Sequence, residues 1–314
     1  MSMYRKLVLL TLILAFVAVV FSAFARLSDA GLGCTNWPAC YEENALKQRH
    51  PTTADIANEH DSWKWKFQNF VGLILGLLAI AICAMAWQKR KELRQSPLLP
   101  TVLVGLMGFL SVFGIWAFSH LSRPAIVSVH LAGGVAMLML LVWIALEQEA
   151  PGNPVGDDVK QKWRGLSWLG IVLVLVQIML GGWVSSNFAA LACSSFPLCQ
   201  GALLPPMDFS SGLASDLLLS PEKLTAIQWM HRVGALVMVV YLVWLSVRIM
   251  AVESLRKFGK VILGLVILQL ALGAFHVLLG LSLVIAILHN AVAMSLLVVL
   301  MALGFRLRKT AGSL

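Results

Sequence analysis

Eight stretches of about 20 mostly apolar residues punctuate this chain, each long enough to cross the hydrocarbon core of a bilayer as a helix. They run over 7–25, 67–87, 98–119, 125–146, 165–184, 226–250, 258–279 and 283–305. Such a pattern leaves few folds open. Lipid offers no hydrogen bonds, so each spanning segment must satisfy its own backbone, which selects helices. Of the 314 residues, 59% are hydrophobic and only 12% charged, which excludes an ordinary soluble domain. The first stretch is read as a retained helix rather than a cleaved signal, because its apolar run is long and a cysteine motif follows it in place of a small-residue cleavage site.

Charge sets the expected orientation. With the N-terminus in the cytoplasm, the inner segments carry Arg5 and Lys6; Lys89, Arg90, Lys91 and Arg94; Lys160, Lys162 and Arg164; Arg248, Arg256, Lys257 and Lys260; and Arg306, Arg308 and Lys309. That is 16 of the 24 Lys and Arg, while the long outer loops at about 26–66 and 185–225 are basic-poor for their length. The net charge of +9 is thus accounted for by topology and by attraction to anionic membrane lipid. It calls for no nucleic acid, since no basic face lies outside these short loops. Both chain termini are expected on the cytoplasmic side of a bacterial inner (plasma) membrane.

The chain repeats itself. Cys34-Thr-Asn-Trp-Pro-Ala-Cys40 is echoed 159 residues later by Cys193-Ser-Ser-Phe-Pro-Leu-Cys199, and His130 is echoed by His289 at the same offset. The expected architecture is an all-α integral membrane protein of two tandem four-helix bundles related by a pseudo-twofold axis. The N-terminal half is placed at 1–146, a cytoplasmic linker at 147–164, and the C-terminal half at 165–314. Four crossings return the chain to its starting side, so the repeat is parallel and its axis runs along the membrane normal. Small residues such as Gly72 and Gly76, Gly133 and Gly134, and Gly181 and Gly182 are expected at helix contacts.

Both cysteine hairpins fall on the outer, oxidising side, where disulfides are the natural reading. A zinc site from four cysteines and redox-active thiols are the competing readings. The five-residue spacing exceeds that of common zinc hairpins. Cys83, inside the second span, reads as a small packing residue.

Three histidines, His130, His231 and His289, lie inside spans near their outer ends. An ionisable side chain there is a functional candidate by default; the bland alternative is a hydrogen bond across the bundle. Imidazoles from facing helices suit the two axial positions of a haem iron. His231 and His289 would form such a pair in the second half, with Arg232 placed either to meet a propionate or to snorkel to the interface. In the first half the repeat keeps His130, but the partner of His231 falls near Gln68, with Asn69 beside it. His60, His120 and His276 are secondary candidates as ligands.

Five segments carry a resemblance: RLSDAGLGCTNWPACY at 26–41, SVHLAGG at 128–134, NFAALACSSFPLCQG at 187–201, IQWMHRVGAL at 227–236 and LGLSLVIAILHNAVA at 279–293. Together they resemble the haem A synthase family over nearly the whole chain. The resemblance implies an oxidoreductase that converts the C8 methyl of haem O to a formyl group for cytochrome c oxidase. It implies a haem b held by His231 and His289, a substrate haem O beside His130, and functional cysteine pairs Cys34–Cys40 and Cys193–Cys199. Haem O synthase and cytochrome oxidase assembly factors are the implied partners, together with an electron partner of unstated identity. A homo-oligomer is compatible with the sequence. One departure stands out. Where the family's second helix carries a Glu and then His-Arg, this chain has Trp65, Gln68 and Asn69. A non-catalytic haem-binding protein in oxidase assembly or haem hand-off is therefore the alternative to a working enzyme.

Overall fold

The computed structural model describes residues 2–29, 62–93, 95–118, 124–149, 155–210 and 219–308, with only the backbone at 29 and 115–118. Among these residues the chain is all-α. Its long helices are α1 (Met3–Asp29), α2 (Trp63–Gln88), α3 (Leu98–Phe118), α4 (Pro124–Glu147), α5 (Asp157–Ser186), α6 (Pro221–Met250), α7 (Arg256–Leu278) and α8 (Leu283–Arg306). Seven of them are long and apolar enough to cross a membrane, so the chain is a multi-pass membrane protein. The expected eighth span corresponds to α3, which is apolar but falls short of that standard over its described stretch Leu98–Gly114.

Local chemistry sets the helix boundaries. Ser62 caps α2 by accepting a hydrogen bond from the Trp65 amide, and Ser220 caps α6 by accepting from the Lys223 amide. Pro221 and Pro124 open α6 and α4, where a missing N–H costs nothing. α5 starts two turns before its apolar run, with Asp157 and Asp158 at its positive end. It thus extends into the stretch read as a linker. α7 ends where Gly280 and Leu281 enter the left-handed region (φ 68° and 63°), and the Leu281 amide donates back to the His276 carbonyl. This short turn forces α7 and α8 antiparallel, and His289 then sits six residues into α8, about 9 Å along the helix. His130 sits six residues into α4, at the matching depth.

The helices contact one another in an ordered way. α1 meets α2, α2 meets α3, α3 meets α4, and α4 returns to α1. Likewise α5 meets α6, α6 meets α7, α7 meets α8, and α8 returns to α5. The two sets touch through α4 with α5, α1 with α8, and α4 with α8. The buried core runs continuously through both, including Leu138, Leu141 and Ile144 of α4, Ile171 and Val174 of α5, and Leu297 and Leu300 of α8. Outward faces carry large exposed apolar side chains at helical spacing, such as Leu10, Ile13 and Val17 on α1 and Leu73, Leu77 and Ile80 on α2. In water such stripes would be aggregation surfaces; against lipid they are the expected exterior.

Polar side chains join elements at the end opposite the second cysteine loop. Arg308 Nη1 donates to Glu147 Oε1 at 3.0 Å, and the Trp143 indole donates to the same oxygen at 3.2 Å. Gln148 donates to Gln95, which donates in turn to the Tyr4 hydroxyl. These bonds link α1, α4, α8 and the turn after α2.

The glycines divide sharply. Gly72 and Gly76, expected at helix contacts, face open space with nothing within 4 Å of a built Cβ among the described residues. Gly133 instead receives Leu110 of α3, and Gly182 receives Leu131 of α4. Gly259 packs so tightly on α6 that a Cβ would stand 2.7 Å from the Ser246 carbonyl. A backbone atom cannot swing aside, so Gly259→Ala should destabilise the protein by about 1–3 kcal/mol. Gly76→Ala should change stability by less than about 1 kcal/mol, in the favourable direction. Thermal unfolding of the two variants in one detergent checks the contrast.

Candidate functional site

His231 on α6 and His289 on α8 stand at opposite corners of the ring of contacts formed by α5 to α8. Each ring rests on a glycine of a neighbouring helix. A Cβ on Gly181 of α5 would lie 3.1 Å from His231 Cε1, and one on Gly273 of α7 would lie 3.1 Å from His289 Cε1. One turn before each glycine stands a buried glutamine. Gln177 Nε2 donates to the His231 main-chain oxygen at 3.0 Å and lies 2.9 Å from its Nδ1. Gln269 Nε2 lies 3.1 Å from His289 Nε2. Each histidine thus sits in a Gln-x-x-x-Gly cradle on an adjacent helix. The remaining ring nitrogen of His289, Nδ1, is buried and has no hydrogen-bond partner among the described residues.

The arrangement suits a haem iron. Two imidazoles on facing helices form a bis-histidine donor set, one has an orphaned buried nitrogen, and glycines hold open the space beside both rings.

Arg232 follows His231 and turns to the cysteine loop. Its Nη1 donates to the Leu198 carbonyl at 2.9 Å and its Nη2 to the Cys193 carbonyl at 3.0 Å, with Phe196 lying 6.0 Å from the guanidinium. The loop itself is compact. Cys193 and Cys199 form a disulfide and are both buried. Gln200 (φ 53°) and Gly201 (φ 80°) turn the chain so that Cys199 and Ala202 exchange backbone hydrogen bonds, as a two-residue turn with both central residues left-handed requires. Beneath it Val184, Phe188, Ala189, Ala192, Leu224 and Ile227 form a small core joining the loop to α5 and α6. Gln200 bridges the Ala192 carbonyl and the Thr225 hydroxyl. The expected disulfide is therefore present in the second half. Cys34 and Cys40 lie outside the described residues, as do His60 and His120.

The first half has the frame without the same furnishing. His130 faces Gly114 of α3, whose Cβ would lie 3.8 Å from its Cε1. Gly114 and Gly273 are again 159 residues apart, so this contact repeats. The position equivalent to Gln269 is Leu110, which fills the notch at Gly133. On α2, Gln68 is half-buried, while Asn69 is exposed and donates to the Trp65 carbonyl of its own helix at 3.0 Å. A constant offset of 159 from His231 lands on Gly72, one turn inward of Gln68, so neither register supplies an imidazole. Aromatic rings anchor the start of α2 to α1, with Phe21 and Phe67 centroids 4.4 Å apart and Trp63 against both Phe21 and Phe24. Lys64 Nζ reaches the Ser28 hydroxyl at 2.8 Å. His276 is engaged by the Ser282 carbonyl at the α7–α8 turn, 3.2 Å from its Nδ1. Cys83 is half-buried, with its sulfur 3.6 Å from the Thr101 hydroxyl.

Sequence reasoning missed Gln177, Gln269, Gly114 and Gly273 as site-forming residues. The usable signal was the repeated Gln-x-x-x-Gly at 177–181 and 269–273, a neutral amide in otherwise apolar helices. If Arg232 holds the loop closed, Arg232→Ala should speed reduction of Cys193–Cys199 by an added dithiol several-fold. Alkylation trapping at timed intervals reads that rate.

Comparison with known proteins agrees with this architecture. Residues 5–301 match the model of the cytochrome oxidase assembly protein family, COX15-CtaA. The chain is 29% identical over 313 residues to the haem A synthase of Shewanella oneidensis, covering 94% of each chain. It is 27% identical to that of Caulobacter sp. strain K31 over 327 residues (95% of this chain and 94% of the relative). It is 26% identical to that of Halalkalibacterium halodurans over 288 residues, or 89% of each. The chain belongs to the cytochrome oxidase assembly protein family.

Proposed function

We propose that the chain is a haem-processing membrane oxidoreductase of the haem A synthase type. In this reading His231 and His289 hold a resident haem b, and the His130 side of the chain takes haem O, whose C8 methyl is oxidised to a formyl group. The observation that carries it is the pair of imidazoles, each cradled by a glutamine and a glycine, in a chain of which 94% aligns with a haem A synthase.

The proposal includes an architecture. All eight helices, α3 included, are spans, grouped as α1–α4 and α5–α8 about a pseudo-twofold axis, with 1–146 on the substrate side and 165–314 on the cofactor side. The closed ring of contacts within each set and the repeated His–Gly contact support it. The distribution of basic residues supports reading the end that bears Glu147 and Arg308 as cytoplasmic and the cysteine loops as outer.

Bound haem supplies the one-electron chemistry that an unactivated methyl group demands. The residues of this chain do the rest. His231 and His289 furnish two nitrogen donors from helices that cannot drift apart, since the α7–α8 turn and the small core under the loop fix their depths. Arg232, beside His231 at the outer end, keeps a guanidinium where a propionate would emerge and ties that end to the disulfide loop. His130, beside Gly114, would leave one imidazole to orient the substrate. Haem O synthase is the natural supplier, an electron partner must accept the reducing equivalents, and oxidase assembly factors would receive the product.

One observation favours a second reading, a non-catalytic haem carrier in oxidase assembly. The second helix offers no carboxylate, imidazole or guanidinium at the Trp65, Gln68 and Asn69 positions, and the Asn69 amide is spent on its own helix. Co-expression with a haem O producer, followed by chromatography of the extracted haems, separates the two: haem A appears only if the chain is an enzyme. In the same preparations His231→Ala and His289→Ala should abolish the low-spin b-type spectrum, whereas His130→Ala keeps most of it. A full b-type spectrum in His289→Ala would end the site assignment.

A further inference from the structure

We propose that Gln177 and Gln269 are positioning residues for the histidine pair, each fixing one ring so that its free nitrogen is presented to iron. The inference rests on the haem-site reading above and deepens it.

Both glutamines are buried, 9% and 8% exposed, in helices otherwise lined by aliphatic side chains. A bond between helices in a membrane is worth on average about 0.6 kcal/mol. That is a small return for placing an amide in an apolar interior, so stability alone does not account for two of them. Orientation does. Gln177 grips both the ring and the main chain of His231, and its Oε1 lies against Gly234, where a Cβ would come within 2.5 Å. The amide therefore has one slot, and the ring it touches inherits that constraint. Gln269 holds one nitrogen of His289 and leaves the other without a partner among the described residues.

Each glutamine also keeps an unused acceptor. Oε1 of both Gln177 and Gln269 is buried with no hydrogen-bond partner among the described residues. A ring whose one nitrogen donates to a metal carries its proton on the other, and that N–H calls for an acceptor. Turning the Gln269 amide over brings Oε1 to it, so Gln269 serves both ring states, donating through nitrogen to the free ring and accepting through oxygen from the ligating one. Gln177 keeps its nitrogen toward the His231 main-chain oxygen and fixes the ring from that side. The first half has no such device: Leu110 stands in the place of Gln269, and Ala18 in the place of Gln177 at the repeat offset. The amides accordingly mark the C-terminal half as the site of a permanently held group.

The test is redox titration and low-spin electron paramagnetic resonance of the full-length protein purified from haem-replete cells. An acceptor on the ring N–H makes the ligand more basic and favours ferric iron. Gln269→Leu should therefore raise the midpoint potential and shift the low-spin g-values, and Gln269→Glu should restore both at least in part. Gln177→Leu, which frees the His231 ring, should shift the g-values, and Gly234→Ala, which crowds the Gln177 amide without removing it, should shift them too and stands in if Gln177→Leu fails to fold. Gln95→Leu removes an equally buried amide at the opposite end and should leave both readouts unchanged. Loss of haem from a folded leucine variant, with retention in the glutamate variant, also supports the proposal. Leucine variants with wild-type potential and g-values overturn it. Wild-type protein that carries no b-type haem overturns the haem-site reading itself, and this inference with it.

Discussion

In lipid a polar side chain has no solvent to fall back on, and this governs how the molecule is built. The helices satisfy their own backbones, and the interior is filled by aliphatic side chains that need no orientation. A buried polar group can then look for a partner only among the helices packed against it, or in a bound ligand. That constraint makes the cradles around His231 and His289 conspicuous. Two imidazoles, two amides and two glycines converge where nothing polar is needed for packing. Removing the amides would leave the helices in place and the rings unguided.

Much of this was legible in the sequence. The apolar runs anticipated each long helix, because length and composition suffice when the solvent is lipid. The 159-residue echo picked out His130 and His289 as equivalent, and the two lie at the same helical depth. Cys193 and Cys199 were marked by spacing and side, and they are bonded. Other features were not legible. Apolar composition does not reveal which glycine receives a neighbour, so Gly72 and Gly76 looked like contact residues yet meet open space among the described residues, while Gly259 was passed over although it is the tightest against backbone. The glutamines escaped attention because an uncharged amide is a weaker signal than an ionisable group, and its meaning depends on a neighbour 54 or 20 residues away. Arg232 read as a cation for a bound anion or for the interface. Its grip on two loop carbonyls depends on loop geometry that no residue pattern encodes.

The two halves have diverged unevenly. Where the second half has amides beside its rings and a guanidinium bracing its loop, the first half has leucine, alanine and an asparagine turned to its own backbone. Yet the histidine-to-glycine contact survives in both. The shared frame has been kept while the side chains hung on it have been changed.

Gly181 and Gly182 carry a consequence for how far that divergence can go. These adjacent residues of α5 look in different directions, one onto the His231 ring and the other onto Leu131, the neighbour of His130. At this level a stretch of α5 without side chains stands between the His231 ring and Leu131. Thickening it on either side would displace a ring or its nearest neighbour. The surroundings of His231 and of His130 thus share one bare stretch of α5, and bulk added to this dipeptide would press on one or the other.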